Sequence, residues 1–459
     1  MKNAVILLFG LFAGFGTPCR AHVSERGLVL LLPTDIYIFF GTLAVLLTVF
    51  LTVLVPPRFF NAVFADKFPT QTETKNQPFK TAISTLAFGV FACLIWLGLY
   101  GPRDPLANLL PLGLLTLWWI CLPVIQAIGG DFWSWINPWH GPVSLAFRGR
   151  ARFDLPARLG VTPALLTYVA AGVYALTDIA PDDPARLAWL AASYWIFTFA
   201  LCGLFGPVWL SRGEGFTVFL TLIAHLSPIR WRPFRLDFPG QAIIGSDKAS
   251  VGFALFVTTA LALGSFDGLN ETFWWMARIG INPLEFPGRS AVIWPNRAGL
   301  LIAIFLVAGV FIAAVWAGLA LVSKTSAFVS LFGKIGLTLL PIALGYHIAH
   351  FLTSAMVNLQ YVPLVLNDPL NNGAKLLGIS DYFVTTSFFN QHHTVQRIWL
   401  TQAGAIIVAH MLAVILSHVI ALKAFGSHKL AVISQLPVAV FMLAYTVFGL
   451  WLLATPVAL

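Results

Sequence analysis

Two histidines three residues apart in an apolar segment are the residues of this chain best suited to chemistry. His347 and His350 belong to the sequence GYHIAH, where a helix would place both imidazoles on one face. Such a pair can hold one metal ion, and a metal-bound water becomes a nucleophile near neutral pH. The sequence therefore predicts a metal or catalytic role for the pair. The alternative is two polar residues at the rim of a membrane span.

Other ionisable residues are placed to join this pair. Asp381 and the adjacent His392 and His393 fall in a long segment that follows the same apolar run, and we expect them on the same side of the membrane. His410 lies about midway along a later apolar run, where it either binds metal or donates a hydrogen bond to a neighbouring helix. His418 is eight residues further on, about 12 Å along a helix, which is too far to share a metal ion with His410.

Several enzyme classes are disfavoured by what the sequence lacks. There is no GxSxG nucleophile elbow, no phosphate-binding loop with its lysine, no HExxH motif and no dinucleotide fingerprint. The four cysteines show no CxxC spacing, so neither a disulfide framework nor a thiolate metal site is indicated. An enzymatic function would therefore depend on the histidines. A second group of polar residues, Asp267, Asn270 and Glu271, either lines a periplasmic pocket or caps a helix on the membrane surface.

The elements that position these residues are membrane spans. Of the 459 residues 58% are hydrophobic and 10% charged, against about 25% charged in an ordinary soluble domain. The sequence predicts an all-α integral membrane protein with about ten transmembrane helices, a single polytopic domain over residues 22–459. Apolar runs long enough to cross the bilayer lie near 35–55, 81–101, 106–128, 161–178, 187–209, 249–266, 298–322, 328–352, 397–422 and 433–455.

The first 21 residues have the plan of a cleaved export signal. Lys2 precedes an apolar run from Ala4 to Phe15, which is too short to span the bilayer, and a small-residue site ends at Ala21. Cleavage there would make His22 the mature N-terminus, with an amine and an imidazole on one residue. His22 is either the start of a frayed tail or a further metal ligand.

Charge predicts the topology. The loops after the first, third and fifth spans are rich in Lys and Arg, and the loop before the fifth span is acidic. We therefore expect the basic side to be cytoplasmic and both mature termini to be periplasmic. We expect a bacterial inner-membrane protein, and the clustering of its net charge of +9 in short loops gives no reason to expect nucleic acid as a partner. Residues 267–297 and 353–396 form long periplasmic loops in this topology. Residues 131–142 and 214–226 are expected to be interfacial or re-entrant.

The chain resembles a named family. The similarity lies in the mature start AHVSERG with the following Leu32-Pro33, the Asn137-Pro138-Trp139 motif, the YHIAH helix and the span that carries His410. In these features the chain is similar to bacterial polytopic membrane proteins named fenitrothion hydrolase. The resemblance extends over nearly the whole chain. It implies a membrane-bound hydrolase that cleaves the bond between phosphorus and aryl oxygen in fenitrothion, giving 3-methyl-4-nitrophenol and a dialkyl thiophosphate.

From that implied reaction we predict a site. A divalent metal ion would be held by His347 and His350, with His22 and His410 as further candidate ligands, and a bound hydroxide would attack phosphorus. His392, His393 and Asp381 would act as catalytic groups or complete the shell. We expect a lipophilic small-molecule substrate taken from the bilayer. Either this chain completes the site alone, or a second protein subunit supplies the remaining groups. The alternatives are a polytopic transporter and a metal- or haem-binding membrane protein.

Overall fold

The fold is a bundle of long helices. The computed structural model describes residues 29, 32–65, 77–231, 234–246, 248–285, 288–379 and 383–456. The long helices are α1 Thr34–Leu54, α2 Gln77–Tyr100, α3 Leu109–Gly129 with a π-helical centre at Leu112–Cys121, α4 Thr162–Thr177, α5 Pro184–Phe205, α6 Gly215–Ile223, α7 Val251–Asn270, α8 Arg289–Leu321, α9 Phe328–Leu337, α10 Leu340–Asn367, α11 His392–Phe425 and α12 His428–Ala454.

Short elements join the long helices. Six are α-helical turns or helices, at Pro57–Val63, Trp133–Ile136, His140–Phe147, Val208–Arg212, Gln241–Ile244 and Phe273–Arg278. Five are 3₁₀ turns, at Ala157–Leu159, Ala224–Leu226, Pro283–Glu285, Thr325–Ala327 and Ser387–Asn390. The described strands, β1 Ile229–Trp231 and β2 Phe234–Leu236, pair antiparallel with Arg230 opposite Arg235.

The prediction of an all-α polytopic membrane protein is confirmed. Within the described residues, nine helical segments are long and apolar enough to cross a membrane, α9 and α10 counting as one. The predicted span at 161–178 forms α4, whose 16 residues cover only about 24 Å. Its start packs on Gly215 beside the buried Glu214, and its end, Thr177, accepts a hydrogen bond from Arg297.

The ends of the helices form two faces. On the first face, the acidic turn between α4 and α5 meets the start of α8, where Arg289 Nε donates to the Asp178 carbonyl at 2.9 Å. On the second face, the chain after α1 touches the chain after α6 through Phe64 and Phe238, with ring centroids 4.8 Å apart. Trp231 Nε1 also donates to Gly129 O at the end of α3. The basic loops therefore share the second face, as the charge pattern predicts.

The central and outer helices differ in what they bury. Helix α10 packs against both α7 and α11, and α7 and α11 carry fully buried residues such as Phe256 and Trp399. Helices α1, α2 and α8 instead expose large apolar side chains, among them Phe39, Leu86 and Phe305. An apolar outer surface is what a bilayer covers, and the inner helices are the ones that can hold a protected site.

Two predicted loops are partly helical. The sequence predicts a loop over 353–396, but α10 continues to Asn367 and α11 begins at His392. The predicted loop at 267–297 contains the end of α7, the helix Phe273–Arg278 and the start of α8. An apolar run marks only the part of a helix that contacts hydrocarbon. Backbone hydrogen bonds continue beyond that run, so the helix is longer than the run.

One of the segments predicted to be interfacial or re-entrant lies inside the bundle. Helix α6 buries five apolar side chains over nine residues, and its N-terminus is capped by the fully buried Glu214. The Glu214 carboxylate accepts the N–H groups of Phe216 and Thr217 at 2.9 and 2.6 Å, and it also accepts the Tyr194 hydroxyl. After α6 the chain reaches the end of α3, where Ser227 Oγ donates to Ile128 O. The burial of α6 agrees with the re-entrant alternative rather than the interfacial one.

Candidate functional site

A large cavity lies between six helices. Its volume is about 1020 Å³, and its wall is formed mainly by side chains of α2, α3, α4, α5, α7 and α10, with the aromatic residues after α3 and at the start of α6. Most of these side chains are apolar or aromatic. Leu86 on α2 and Leu166 on α4 belong to the wall and are 70% and 63% exposed, so the cavity is open between these helices. That opening faces the side that lipid would cover.

The most polar part of the wall is a carboxylate and imidazole pair. Asp267 lies in the last turn of α7, and its Oδ2 is 3.0 Å from Nε2 of His350 on α10. The two side chains are 21% and 25% exposed, and both line the cavity. A carboxylate only accepts hydrogen bonds, so Nε2 carries a proton and the lone pair of a neutral His350 ring is on Nδ1. A carboxylate held in this way fixes the tautomer and stabilises the ring after it gains a proton.

His347 has a different partner. Its Nε2 lies 3.1 Å from the carbonyl oxygen of Ile120 on α3, and its ring edge packs on Trp119 with centroids 5.5 Å apart. Ile120 belongs to the π-helical part of α3, and π-helical turns within α-helices occur frequently at functional sites. A carbonyl oxygen can only accept, so Nε2 of His347 donates. The two histidines are thus oriented by separate hydrogen bonds to α3 and α7.

The other predicted site residues do not join this pair within the described structure. His410 is fully buried on α11, where Nδ1 is 2.8 Å from Ile406 O and the ring lies against Tyr346. His392 and His393 are exposed at the start of α11, and His392 is 18 residues, about 27 Å, from His410.

The predicted metal site is only partly within the described structure. His22, the export signal and Asp381 lie outside the described residues. Among the residues that are described, no group of three or more His, Cys, Asp or Glu side chains is placed to hold a metal ion. Because Nε2 of His347 and of His350 each donates to an oxygen, these two atoms do not act as ligands in this arrangement. The divalent metal ion stays a prediction, and metal analysis of the purified protein would test it.

The aromatic segment after α3 anchors the far end of the cavity. The Asp131 carboxylate accepts the Ser134 N–H at 3.1 Å and caps the helix Trp133–Ile136. Burial raises the pKa of Asp131, and hydrogen bonding with Ser134 and the positive charges of Lys248 and Lys80 oppose that rise. Trp133 Nε1 and Asn137 Nδ2 both donate to Thr217 Oγ1 on α6, each at 3.0 Å. This segment is therefore a structural support for two tryptophans of the cavity wall.

No family model, curated protein or solved structure matches this chain. The assignment of a function thus depends on the cavity and its polar groups.

Sequence reasoning identified His347 and His350 but did not pair His350 with Asp267. The available signal was the position of Asp267 in the last turn of an apolar run, since an ionisable side chain there is costly unless it is paired or functional. Glu214 was missed as a buried group. Its signal is a carboxylate directly before an apolar helix, which is an N-cap position.

Proposed function

We propose that this protein is a membrane-bound hydrolase of neutral, lipophilic organophosphorus esters, with fenitrothion as a representative substrate. The observation that carries the proposal is the Asp267 and His350 pair in the wall of a large apolar cavity that is open toward lipid. The volume of about 1020 Å³ is at the upper end of ligand pockets, which hold drug-sized molecules mostly within apolar walls.

His350 acts as the general base in this proposal. Its Nδ1 accepts a proton from water as the water oxygen attacks phosphorus, and the Asp267 carboxylate stabilises the imidazolium that forms. The bond between phosphorus and aryl oxygen breaks, and its electron pair leaves with the nitrophenolate. The products are 3-methyl-4-nitrophenol and a dialkyl thiophosphate. A nitrophenolate is a good leaving group, so the site needs no strong general acid.

The location suits such a substrate. An uncharged phosphorothioate concentrates in hydrocarbon, and an opening between α2 and α4 would admit it from the bilayer. The charge pattern assigns the basic second face to the cytoplasm, which would put Asp267 and His350 toward the periplasmic side of an inner membrane. Water would then reach the pair from that side.

Release of nitrophenolate from fenitrothion by membranes that contain this chain alone tests the proposal. We expect activity in the natural sequence, near-complete loss in His350→Gln, and no loss in His418→Gln. His418 is a buried histidine on α11 that does not line this cavity, so it controls for general effects of replacing a buried imidazole. Equal activity in the His350 and His418 variants would refute the proposed base.

Two further measurements separate the alternatives. Binding of fenitrothion to the purified protein without turnover would favour a carrier of lipophilic molecules over an enzyme. Activity that appears only after co-expression with a second chain would show that a partner subunit is required, and activity of this chain alone would remove that requirement.

A further inference from the structure

The shape of the cavity indicates which kind of lipophilic molecule it holds. On α2 the wall extends from Ile83 to Leu94, and 11 residues of helix rise about 16 Å. The hydrocarbon core of a bilayer is about 30 Å thick, so this length is close to the depth of one leaflet. A compact aryl ester does not need a cavity of this length, but an alkyl chain from one leaflet does.

The polar groups are arranged along this length. Asp267 and His350 lie toward the first face, near the end of α4 and the start of α5. Toward the second face the wall consists of apolar and aromatic side chains, including Trp133, Trp139 and Ile83. The wall is therefore amphiphilic, with its reactive pair near one end and its hydrocarbon-like surface beyond.

Charge limits the head of the ligand. Among the described residues that line the cavity, none is Lys or Arg, and Asp267 contributes a carboxylate. An anionic phosphodiester would lie beside that carboxylate without a neighbouring cation in the described wall, which is unfavourable in a setting of low polarity. A neutral ester avoids this cost.

We infer that the cavity takes a neutral phosphorus ester with one long alkyl chain, its phosphorus beside Asp267 and His350 and its chain extending toward Trp139. The inference rests on the proposed function and adds the substrate class. The opening between Leu86 and Leu166 would let the chain enter sideways from the bilayer.

Two positions on α2 allow a matched test. Ala87 lines the cavity one turn from Ile83, in the half away from the reactive pair, so Ala87→Phe would shorten the space for a chain. Gly89 is exposed, does not line the cavity, and has nothing within 4 Å of an added Cβ. Gly89→Phe therefore adds the same ring to the same helix without filling the cavity.

The substrates are two neutral methyl 4-nitrophenyl phosphates, one with an ethyl and one with a hexadecyl group, presented in the same detergent. We expect Ala87→Phe to lower kcat/KM for the hexadecyl ester by roughly tenfold or more, as overpacking would cause, and to leave the ethyl ester within about twofold. Gly89→Phe should match the natural sequence on both esters. Unchanged hexadecyl activity in Ala87→Phe would overturn the inference while leaving hydrolysis intact.

A binding assay keeps the inference testable if no hydrolysis is found. A radiolabelled hexadecyl methyl alkylphosphonate, which lacks the aryl leaving group, should be retained by the natural sequence and by Gly89→Phe, and lost from Ala87→Phe. That result supports the chain site even without turnover. Equal retention by all three proteins overturns it. Thermal unfolding of each variant in detergent shows whether Ala87→Phe folds. If it does not, Ala191→Phe replaces it, on the adjoining cavity wall in α5.

Discussion

Replacing Asp267 by Asn removes the charge of the reactive pair and keeps its shape. The Asp267 Oδ2 to His350 Nε2 distance is 3.0 Å and both side chains are less than one-third exposed, so the hydrogen bond to the charged carboxylate is only moderately screened. Hydrogen bonds to charged groups contribute about 1.5–3 kcal/mol. If that energy is expressed when His350 becomes an imidazolium, the rate falls roughly 10- to 150-fold.

The assay is nitrophenolate release at several fenitrothion concentrations, from membranes with matched amounts of protein. We expect kcat of Asp267→Asn to fall by that factor and KM to change by about twofold or less, because a neutral substrate does not gain binding energy from the carboxylate. Asp182→Asn is the control, since Asp182 is an exposed carboxylate in the acidic turn of the same face. A kcat for Asp267→Asn within twofold of the natural sequence would refute the paired-base mechanism.

Three further predictions concern stability, each measured as thermal unfolding in detergent. Gly318→Ala should destabilise the protein by about 1–3 kcal/mol, since its Cβ would lie 2.0 Å from a backbone oxygen of α12, while Gly309→Ala on the same helix should not, having nothing within 4 Å. Glu214→Ala should lower the free energy of unfolding by about 1–3 kcal/mol, because two backbone N–H groups and the Tyr194 hydroxyl lose their acceptor in the interior. A loss of less than roughly 0.5 kcal/mol would contradict this. Partial burial raises the pKa of Asp178, but a backbone N–H and Arg186 lower it more, to below its ordinary 3.8. Because its pKa is lowered in the folded state, Asp178 stabilises the fold above about pH 3.8, and this stabilisation is lost as pH falls through the folded-state pKa. The natural sequence should therefore unfold at a higher temperature than Asp178→Asn above that range, and the difference should disappear below it.

The candidate site shows where sequence reasoning reaches its limit. The spacing of His347 and His350 on a helix was readable, and it suggested one shared ligand. In the structure each imidazole donates to a different helix, His347 to the Ile120 carbonyl and His350 to Asp267. Ile120 is 227 residues from His347 along the chain, and no local pattern reports a contact at that separation.

The apolar pattern did not predict where the helices end. The run near 328–352 predicts a span, but the chain forms α9, a break near Thr338, and α10 to Asn367. Hydropathy marks the segment that prefers hydrocarbon, whereas the end of a helix depends on capping and packing of residues outside it.

The sequence alone determined that the protein is a helical membrane protein, where nearly every span lies, and that the basic loops share one face. These features follow from local properties: backbone groups in hydrocarbon must be paired within a helix, and about 20 apolar residues cross the bilayer. Only the tertiary structure decided that α6 turns back inside the bundle, that six helices leave a cavity of about 1020 Å³ between them, and that Asp267 meets His350 there. The reason is physical: lipid is as apolar as the helices, so hydropathy does not distinguish a side chain that faces lipid from one that faces a neighbouring helix or a cavity.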